Sequence, residues 1–457
     1  LWSVVVLLCV AALQSGCSAQ PHRPPNATAQ PPMPPMGWNS WNSGVALTEA
    51  NVKAVIDAMV SSGMRDAGYR YVNLDAGWAA PQRTASGELH SDPTRFPDGM
   101  ADLAKYAHDR GMLLGLYASP FNEGCSAQPA LAAAGHETQD AKDYADWGID
   151  MLKYDWCRNE ADHQHQVQVF SAMRDALRGS GRHIVYSINP NSSDDQTAGI
   201  RYDWSDIADM ARATNDLVPV WHDQLPRLGP LDPFAGHVYL SVPDEFAAAA
   251  KALAPSKQGY WVDADMLVAG IGWNEWVAKH LKSVRDQLTA GAPADAVRQF
   301  GAASDDQFLH MVTDRQPNLT VDEERAHLSL WSMLSAPLIA GNDVRTMGND
   351  TRDLLTNRDV IAIDQDSLTA PMHPLPTDPR VQLKWLSDGA MAVAMFNATD
   401  KPVAIATTAA AAGLPAERCY TVRDAWTHKD AASTGAVDGG TVAPHAVTLL
   451  RVTPRCR

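Results

Sequence analysis

The sequence predicts a (β/α)8 TIM barrel followed by a small C-terminal antiparallel β-sandwich, and three observations support this prediction. Across residues 36–364, short apolar segments alternate with amphipathic helical segments, and about eight of them have the character of strands. Several of these segments end on an aspartate, and barrels carry their chemistry at the carboxyl ends of their strands. Beyond Arg380 the chain changes to short alternating apolar runs separated by Asp, Gly and Pro, as in antiparallel strands.

The predicted barrel strands are short and apolar. The first begins at Met36, and the others cover residues 69–75, 112–117, 148–155, 183–188, 209–212, 259–262 and 337–340. The intervening helices are predicted near residues 48–63, 97–111, 140–147 and 166–177. Thr48 is the predicted N-cap of the first helix, which buries Val52 and Met59 on one face and ends at Gly63. Helices that lead into strands at this spacing favour a closed barrel over a doubly wound sheet.

The chain divides into four predicted parts. They are a signal peptide over residues 1–20, a Pro-rich linker over 21–34, the barrel over 35–370 and the β-sandwich over 378–457. The strands of the sandwich are predicted at residues 381–386, 391–396, 403–407 and 446–452. Residues 273–320 are longer than a normal connection, and we interpret them as an inserted helical excursion.

The N-terminal segment predicts an exported protein. Residues 2–13 are apolar and too short for a comfortable bilayer span, and the small residues 15–19 are typical of a signal-peptide cleavage site. Cys17 is a candidate site for a bacterial lipid anchor. We therefore expect a secreted, periplasmic or cell-surface protein with no transmembrane span.

The cysteines fit this compartment. The chain has six cysteines, and setting aside Cys9 and Cys17 of the leader leaves four. An even number in an exported chain indicates disulfides. The most economical pairing places one bond in each predicted domain, namely Cys125–Cys157 and Cys419–Cys456.

Charge and composition restrict the partner. A net charge of −16 argues against nucleic acid, because no basic stripe is available to neutralise phosphates. Fourteen tryptophans are many, and exposed aromatic faces suit sugar rings. We therefore expect a carbohydrate ligand, an oligosaccharide or polysaccharide, rather than a nucleic acid.

The aspartates at predicted strand ends are the candidate catalytic residues. They are Asp75, Asp155, Asp216 and Asp263. In a barrel they would converge on one mouth, and a carboxylate pair there indicates glycoside hydrolysis. We expect no metal and no cofactor, because His163 and His165 are two residues apart and do not share a helix face. The sequence also contains neither a phosphate-binding glycine loop after a strand nor a Gly-x-Ser-x-Gly elbow.

Six stretches carry a resemblance to a known family. They are residues 35–41 (PMGWNSW), 95–100 (RFPDGM), 115–117 (GLY), 147–155 (WGIDMLKYD), 263–267 (DADML) and 336–343 (APLIAGND). In this order and spacing the chain resembles the family 27 glycoside hydrolases of the α-galactosidase type. The resemblance covers nearly all of residues 35–364. It implies a barrel with a C-terminal β-sandwich and retaining hydrolysis that releases terminal α-D-galactose by a double displacement.

The resemblance assigns the two catalytic carboxylates. Asp155 falls on the position of the nucleophile, and Asp216 falls on that of the acid/base because it follows Arg212 by four residues. The Arg212–Asp216 spacing also suits an ordinary ion pair on a helix. Asp206 and Asp209 are nearby competitors for the acid/base role.

The resemblance also implies a set of substrate-binding residues. They are Trp41, Asp75, Lys153, Asn189, Arg212 and Asp263. Trp41 would stack on the sugar ring, and Arg212 would bind the side of the 2-hydroxyl. Lys153 lies on the same side of its strand as Asp155, so it would hold sugar hydroxyls and keep that carboxylate ionised. A disulfide between Cys125 and Cys157 would brace the nucleophile loop.

Two positions depart from the galactosidase pattern. The family has paired acids after its second strand that grip the axial 4-hydroxyl and the 6-hydroxyl, and here Ala76 follows Asp75. The change removes a charge-assisted hydrogen bond worth roughly 1.5–3 kcal/mol and makes room at that corner of the ring. Asn189 stands where galactosidases often carry an acid beside the 2-hydroxyl. Both changes affect positions that read the sugar.

These departures leave alternatives. Within the family, an isomaltodextranase-type enzyme that acts on α-1,6-glucan and a β-L-arabinopyranosidase are the other candidates. A non-catalytic carbohydrate-binding protein belongs to a different class, and retention of both Asp155 and Asp216 argues against it. A metal-dependent barrel enzyme would lose its activity on treatment with a chelator.

Overall fold

The computed structural model describes residues 33–121, 131–156, 160–192, 194–221, 240–252, 259–276 and 318–456. The predicted signal peptide, nearly all of the linker, Cys17, Cys125 and Cys157 lie outside these ranges. So do residues 277–317, which make up most of the predicted excursion. None of the helices within the described ranges is long and apolar enough to cross a membrane.

Eight parallel strands form the first unit. They are β1 (Met36–Asn39), β2 (Tyr71–Leu74), β3 (Leu113–Ala118), β4 (Met151–Asp155), β5 (Val185–Asn189), β6 (Met210–Arg212), β7 (Trp261–Asp263) and β8 (Leu338–Ala340). Each pairs with its sequence neighbour from β1 to β7, and β1 also pairs with β8. Leu267, just after β7, donates its N–H to Ile339 (2.7 Å) and accepts the N–H of Gly341 (3.0 Å). These bonds join the segment after β7 to β8, which are the two edges of the sheet. The predicted barrel is therefore confirmed.

Helices surround this barrel. They are α1 (Glu49–Ser61), α2 (Met64–Ala67), α3 (Gly99–His108), α4 (Glu137–Trp147), α5 (His163–Gly179), α6 (Ala198–Arg201), α7 (Val242–Ala249), α8 (Val321–Leu334), α9 (Asn349–Leu355) and α10 (Arg358–Asp364). Thr48 caps α1 as predicted, because its side chain accepts the N–H of Asn51. Helix α5 begins three residues earlier than predicted, because Asp162 caps it by accepting the N–H of His165.

The core of the barrel unit follows from the strand pattern. Both faces of the parallel strands are covered, so the strands are apolar along most of their length. The first residues of four adjacent strands meet in one buried cluster inside the ring, made of Met151, Val185, Met210 and Trp261. Polar side chains are therefore concentrated at the opposite, carboxyl ends of the strands, where the site lies.

The C-terminal unit is antiparallel, as predicted. Its strands are β9 (His373–Leu375), β10 (Asp378–Trp385), β11 (Met391–Phe396), β12 (Val403–Thr408), β13 (Tyr420–Asp424), β14 (Asp430–Ser433), β15 (Ala436–Val442) and β16 (Val447–Pro454). Six form one sheet in the order β14-β13-β16-β11-β10-β9, and β12 pairs with β15. A separate apolar core fills the space between the sheets. The Cys419–Cys456 disulfide ties its last strand down, which confirms that predicted pair.

Candidate active site

Four aspartates meet at the carboxyl end of the barrel. Asp155 is the last residue of β4 and Asp263 is the last residue of β7. Asp75 directly follows β2, and Asp216 follows the end of β6 by four residues. Asp75 and Asp216 both raise the pKa of Asp155, as nearby negative charges do. Asp75, Asp155 and Asp263 therefore lie at strand ends as the sequence predicts, whereas Asp216 lies farther along the loop after β6.

Lys153 connects two of these carboxylates. Its Nζ lies 2.8 Å from Asp75 Oδ2 and 3.4 Å from Asp155 Oδ2. The shared side of β4 explains this geometry, because side chains two residues apart on a strand point the same way. Burial alone would lower the pKa of Lys153, but the charges of Asp155 and Asp75 raise it above its usual value. The ammonium is therefore charged at neutral pH.

Asp155 is one of the two acids that flank Lys153. Its side chain is 15% exposed. Burial raises the pKa of Asp155 to about 6, Lys153 and Arg212 oppose the rise, and Asp75 and Asp216 add to it. The resemblance described above implies that Lys153 keeps this carboxylate ionised. It does lower the pKa, but burial outweighs it, so ionisation is complete only well above pH 6.

Tyr117 is a site residue that the sequence reasoning missed. It lies on β3 next to Lys153, with the Lys153 ammonium 5.4 Å from the centre of its ring. Its hydroxyl hydrogen-bonds Asp155, and burial together with Asp155, Asp75 and Asp216 raises its pKa well above the usual value. The phenol thus stays protonated and can donate to the carboxylate. Its place in the motif at residues 115–117 was a usable signal.

Arg212 pairs with two further carboxylates at the carboxyl end of the barrel. Its Nη2 lies 3.2 Å from Asp216 Oδ1 and 3.0 Å from Asp265 Oδ2. Arg212 ends β6, and Asp216 lies on the loop that follows, so this is not a pair on a helix. The guanidinium is almost fully buried, whereas the Asp216 side chain is 48% exposed. Asp216 therefore combines a fixed cation on one side with access to solvent on the other.

Asp263 and Asp265 form a buried acidic pair behind this guanidinium. Burial raises the pKa of Asp263 to about 6, while Arg212 lowers it and Asp265 raises it. The N–H of Asp265 donates to Asp263 Oδ1 at 2.9 Å, and Asp265 Oδ2 accepts the N–H of Leu217 at 2.8 Å. Asp265 was not among the predicted site residues. The second acid of the motif at residues 263–267 could have pointed to it.

Asp75 is also supported from β1. Its Oδ2 accepts a hydrogen bond from Asn39 Nδ2 at 3.1 Å, and its Oδ1 accepts the N–H of Ala76 at 2.9 Å. The Asp75 side chain is only 4% exposed. With the bond from Lys153, three protein donors fix the orientation of this carboxylate.

Asn189 and Trp41 also lie at this end of the barrel. Asn189 ends β5 beside Asp155, and its Oδ1 accepts hydrogen bonds from the N–H of Asn191 (3.2 Å) and from Asn191 Nδ2 (2.9 Å). Its side-chain amide oxygen therefore already accepts two hydrogen bonds from within the protein. Trp41 follows β1 by two residues and is partly exposed.

The two competitors for the acid/base position lie elsewhere. Asp209 immediately precedes β6, and its Oδ2 accepts the N–H of Tyr186 at 2.7 Å at the opposite end of the barrel. Asp206 is exposed in the loop before it. Among the described residues, no group of three or more His, Cys, Asp or Glu side chains is arranged to hold a metal ion.

Comparisons with known proteins place this site in context. A family model described as Alpha galactosidase A matches residues 33–277 and 299–366. A second, described as Alpha galactosidase C-terminal beta sandwich domain, matches residues 377–452.

Relatives of known description match over most of the chain. Alpha-galactosidase A of Cellvibrio japonicus is 34% identical over 371 residues, which is 80% of this chain and 76% of that protein. Alpha-galactosidase of Cyamopsis tetragonoloba is 30% identical over 432 residues, covering 92% of this chain and 86% of that protein. The crystal structure of alpha-galactosidase I from Mortierella vinacea matches with a TM-score of 0.75 and 27% identity, covering 94% of this chain and 100% of that one.

Proposed function

The chain belongs to the alpha-galactosidase family of glycoside hydrolases, and we propose that it releases terminal α-D-galactose with retention, using Asp155 as nucleophile and Asp216 as acid/base. One observation carries the assignment of roles. A buried carboxylate touched by a cation and a phenol faces the same mouth as a half-exposed carboxylate paired with a buried arginine. Two carboxylates in such different surroundings suit two different tasks.

In the first step, Asp155 attacks the anomeric carbon of the bound sugar. A carboxylate oxygen forms a bond to that carbon while the bond to the leaving oxygen breaks, and Asp216 donates its proton to the departing oxygen. The leaving group must reach solvent, and the exposure of Asp216 fits this requirement. Lys153 and the hydroxyl of Tyr117 hold the Asp155 carboxylate in place.

In the second step, the ionised Asp216 acts as a base. It removes a proton from a water molecule, the water oxygen attacks the anomeric carbon, and the bond to Asp155 breaks. The sugar leaves with its original anomeric configuration, and Asp216 is protonated again. Arg212 stabilises Asp216 while it carries the negative charge between the two steps.

Asp75 and Lys153 are proposed to read one corner of the sugar. An ionised carboxylate offers about four acceptor positions, and the protein occupies three of those on Asp75. One remains for a sugar hydroxyl. Because Ala76 supplies no second acid, we propose that Lys153 and Asp75 together hold the axial 4-hydroxyl, with Trp41 stacked on the ring, Arg212 and Asn189 on the side of the 2-hydroxyl, and Asp263 behind Arg212.

Hydrolysis of matched chromogenic substrates tests the proposal. The purified chain is given the 4-nitrophenyl glycosides of α-galactose, α-glucose and β-L-arabinopyranose, with isomalto-oligosaccharides alongside. We expect kcat/KM to be highest for the α-galactoside and unchanged by a chelator. A preference for the glucose-based substrates, or for the arabinoside, would contradict the proposed sugar, and no turnover of any glycoside would contradict the proposed chemistry.

We also propose that the protein works outside the reducing cytoplasm. The Cys419–Cys456 disulfide supports this, because such bonds persist in oxidising compartments. The apolar leader supports it too. Processing at the leader and lipid on Cys17 can be checked by mass spectrometry of the protein recovered from its native membrane and culture fractions.

A further inference from the structure

The loop that carries Asp216 does not end inside the barrel unit. It continues through Leu217 and Val220 to Trp221, whose indole is 5% exposed. There the indole stacks on the ring of His445 (centroids 5.3 Å apart, planes 19° apart) and meets Phe396 edge to face at 6.0 Å. Both partners belong to the C-terminal unit, where Phe396 ends β11. We propose that Trp221 is a positioning residue through which the C-terminal unit holds Asp216 in register for proton transfer.

The loop is ordered by backbone bonds along its length. The N–H of Leu217 donates to Asp265 Oδ2, and the backbone of Asp216 accepts the N–H of Leu240 at 3.0 Å. Val218 donates its N–H to Leu240 at 3.0 Å, and Val220 accepts the N–H of Val242 at 3.1 Å. The loop is therefore a short rigid strip, so a displacement at Trp221 reaches Asp216 five residues away.

The contact on the C-terminal side is also fixed. His445 Nδ1 lies 2.7 Å from Glu323 Oε1, and His445 Nε2 lies 2.9 Å from Asp400 Oδ1. Glu323 belongs to the capping box of α8 and Asp400 lies on the loop between β11 and β12, so the imidazole is tied both to the barrel unit and to another loop of the C-terminal unit. Helix α7 completes the contact, because Phe246 meets Phe396 at 6.3 Å. The His445 ring is thus a firm surface for the Trp221 indole.

Loss of the Trp221 contact should affect the position of Asp216 more than that of Asp155. Asp216 lies on a loop, pairs with Arg212 and is half exposed, whereas Asp155 ends a barrel strand and is held by it. Loss of the indole should therefore shift the acid/base and leave the nucleophile in place. This inference rests on the proposed role of Asp216.

The test uses leaving-group dependence in the full chain. A 2,4-dinitrophenyl α-galactoside needs no protonation of its leaving group, whereas an alkyl α-galactoside does. We measure the ratio of kcat/KM for these two substrates. In Trp221→Ala the ratio should rise about tenfold or more, because general acid catalysis contributes about 10²–10⁴-fold, and Trp221→Phe should restore most of the wild-type value. A wild-type ratio in Trp221→Ala would overturn the proposal.

Matched variants separate the possible explanations. Trp426 also joins the two units, but its contacts are with α8: it donates its indole N–H to Ser329 Oγ at 2.9 Å and lies under the Arg325 guanidinium. Trp426→Ala should therefore leave the ratio within about twofold of wild type, and an equal rise there would overturn the proposal. If Trp221→Ala does not fold, His445→Asn removes the stacked ring while tolerating the positive φ of 60° at that position, and the same outcomes apply.

The contact of Trp221 with His445 and Phe396 is called the brace. A reference variant distinguishes failure of the brace from failure of the proposed function. Asp216→Asn should raise the ratio most. Azide should then speed its second step by attacking the anomeric carbon and displacing Asp155 to give the galactosyl azide, since azide needs no base. A raised ratio in Asp216→Asn with a wild-type ratio in Trp221→Ala would refute the brace alone. A wild-type ratio in Asp216→Asn would refute the acid/base assignment and the brace with it.

Discussion

The two ends of strands β4 and β6 each carry aspartates, and the two sets differ in what surrounds them. Below β4, Asp150 accepts the N–H of Leu114 at 2.9 Å and pairs with His108 and Arg182. Below β6, Asp209 accepts the N–H of Tyr186. These acids bond to backbone N–H groups, Asp150 also pairs with the Arg182 guanidinium, and they hold neighbouring strands in register.

At the carboxyl end of the barrel, by contrast, two acids pair with each buried cation. Asp155 and Asp75 share Lys153, and Asp216 and Asp265 share Arg212. Burial at this end raises the pKa of Asp155 to about 6, Lys153 and Arg212 oppose the rise, and the neighbouring acids Asp75 and Asp216 add to it. The end of the strand at which an aspartate lies therefore decides whether it takes part in the chemistry or supports the fold. Residue type and neighbours in sequence do not decide it.

Neutralising one acid at each end of the barrel should give the largest difference in activity. Asp155→Asn should lower kcat by about 10⁴-fold, because an amide cannot form the glycosyl-enzyme. Its far-UV circular dichroism should match wild type. The control is Asp209→Asn, which keeps a carbonyl acceptor for Tyr186 and should retain kcat within about twofold. Near-normal turnover in Asp155→Asn would remove the distinction between the two ends.

A smaller effect is expected on the pH profile of kcat/KM. Asp155 must be ionised to attack, so kcat/KM should fall as the pH drops below about 6. Lys153→Met removes a charge that lowers the pKa of Asp155, so the acid limb should move up by about one unit. Asp75→Asn removes a charge that raises this pKa, so the limb should move down. Substrate-saturation series at each pH measure both shifts, and movement in the same direction would contradict the electrostatic account.

The smallest effect on catalysis should come from the lower end of the barrel. Asp209→Ala leaves the N–H of Tyr186 without its acceptor, which should cost about 1–3 kcal/mol in the free energy of unfolding. Activity at 25 °C should stay within about twofold of wild type, because Asp209 faces away from the mouth. Urea denaturation and initial rates on the same preparation measure the two quantities. A large loss of kcat without a loss of stability would place Asp209 in the catalytic machinery.

Much of this arrangement could be predicted from the sequence, because it depends on strand periodicity. The alternation of helices and strands predicted the barrel, and the acids at the ends of three predicted strands pointed to Asp75, Asp155 and Asp263. The two-residue repeat of a strand placed Lys153 beside Asp155. Local pattern was sufficient wherever one strand fixes the position of a residue.

Contacts that need two or more elements could not be predicted in this way. Asp265 reaches Arg212 only because β6 and β7 are neighbours, and Tyr117 reaches Asp155 only because β3 pairs with β4. The balance between burial and Lys153 that sets the pKa of Asp155 depends on packing around the whole mouth. Trp221 and His445 lie in different units of the chain, far apart in sequence, and no local pattern reports that contact.

Trapping the covalent intermediate tests the central claim most directly. A fluorinated α-galactosyl fluoride slows the second step more than the first, so the glycosyl-enzyme accumulates and can be digested and sequenced by mass spectrometry. The account predicts one added sugar per chain, located on the peptide that contains Asp155 and attached to that side chain. A label on any other residue, or hydrolysis of an α-galactoside with inverted configuration and no label, would contradict it.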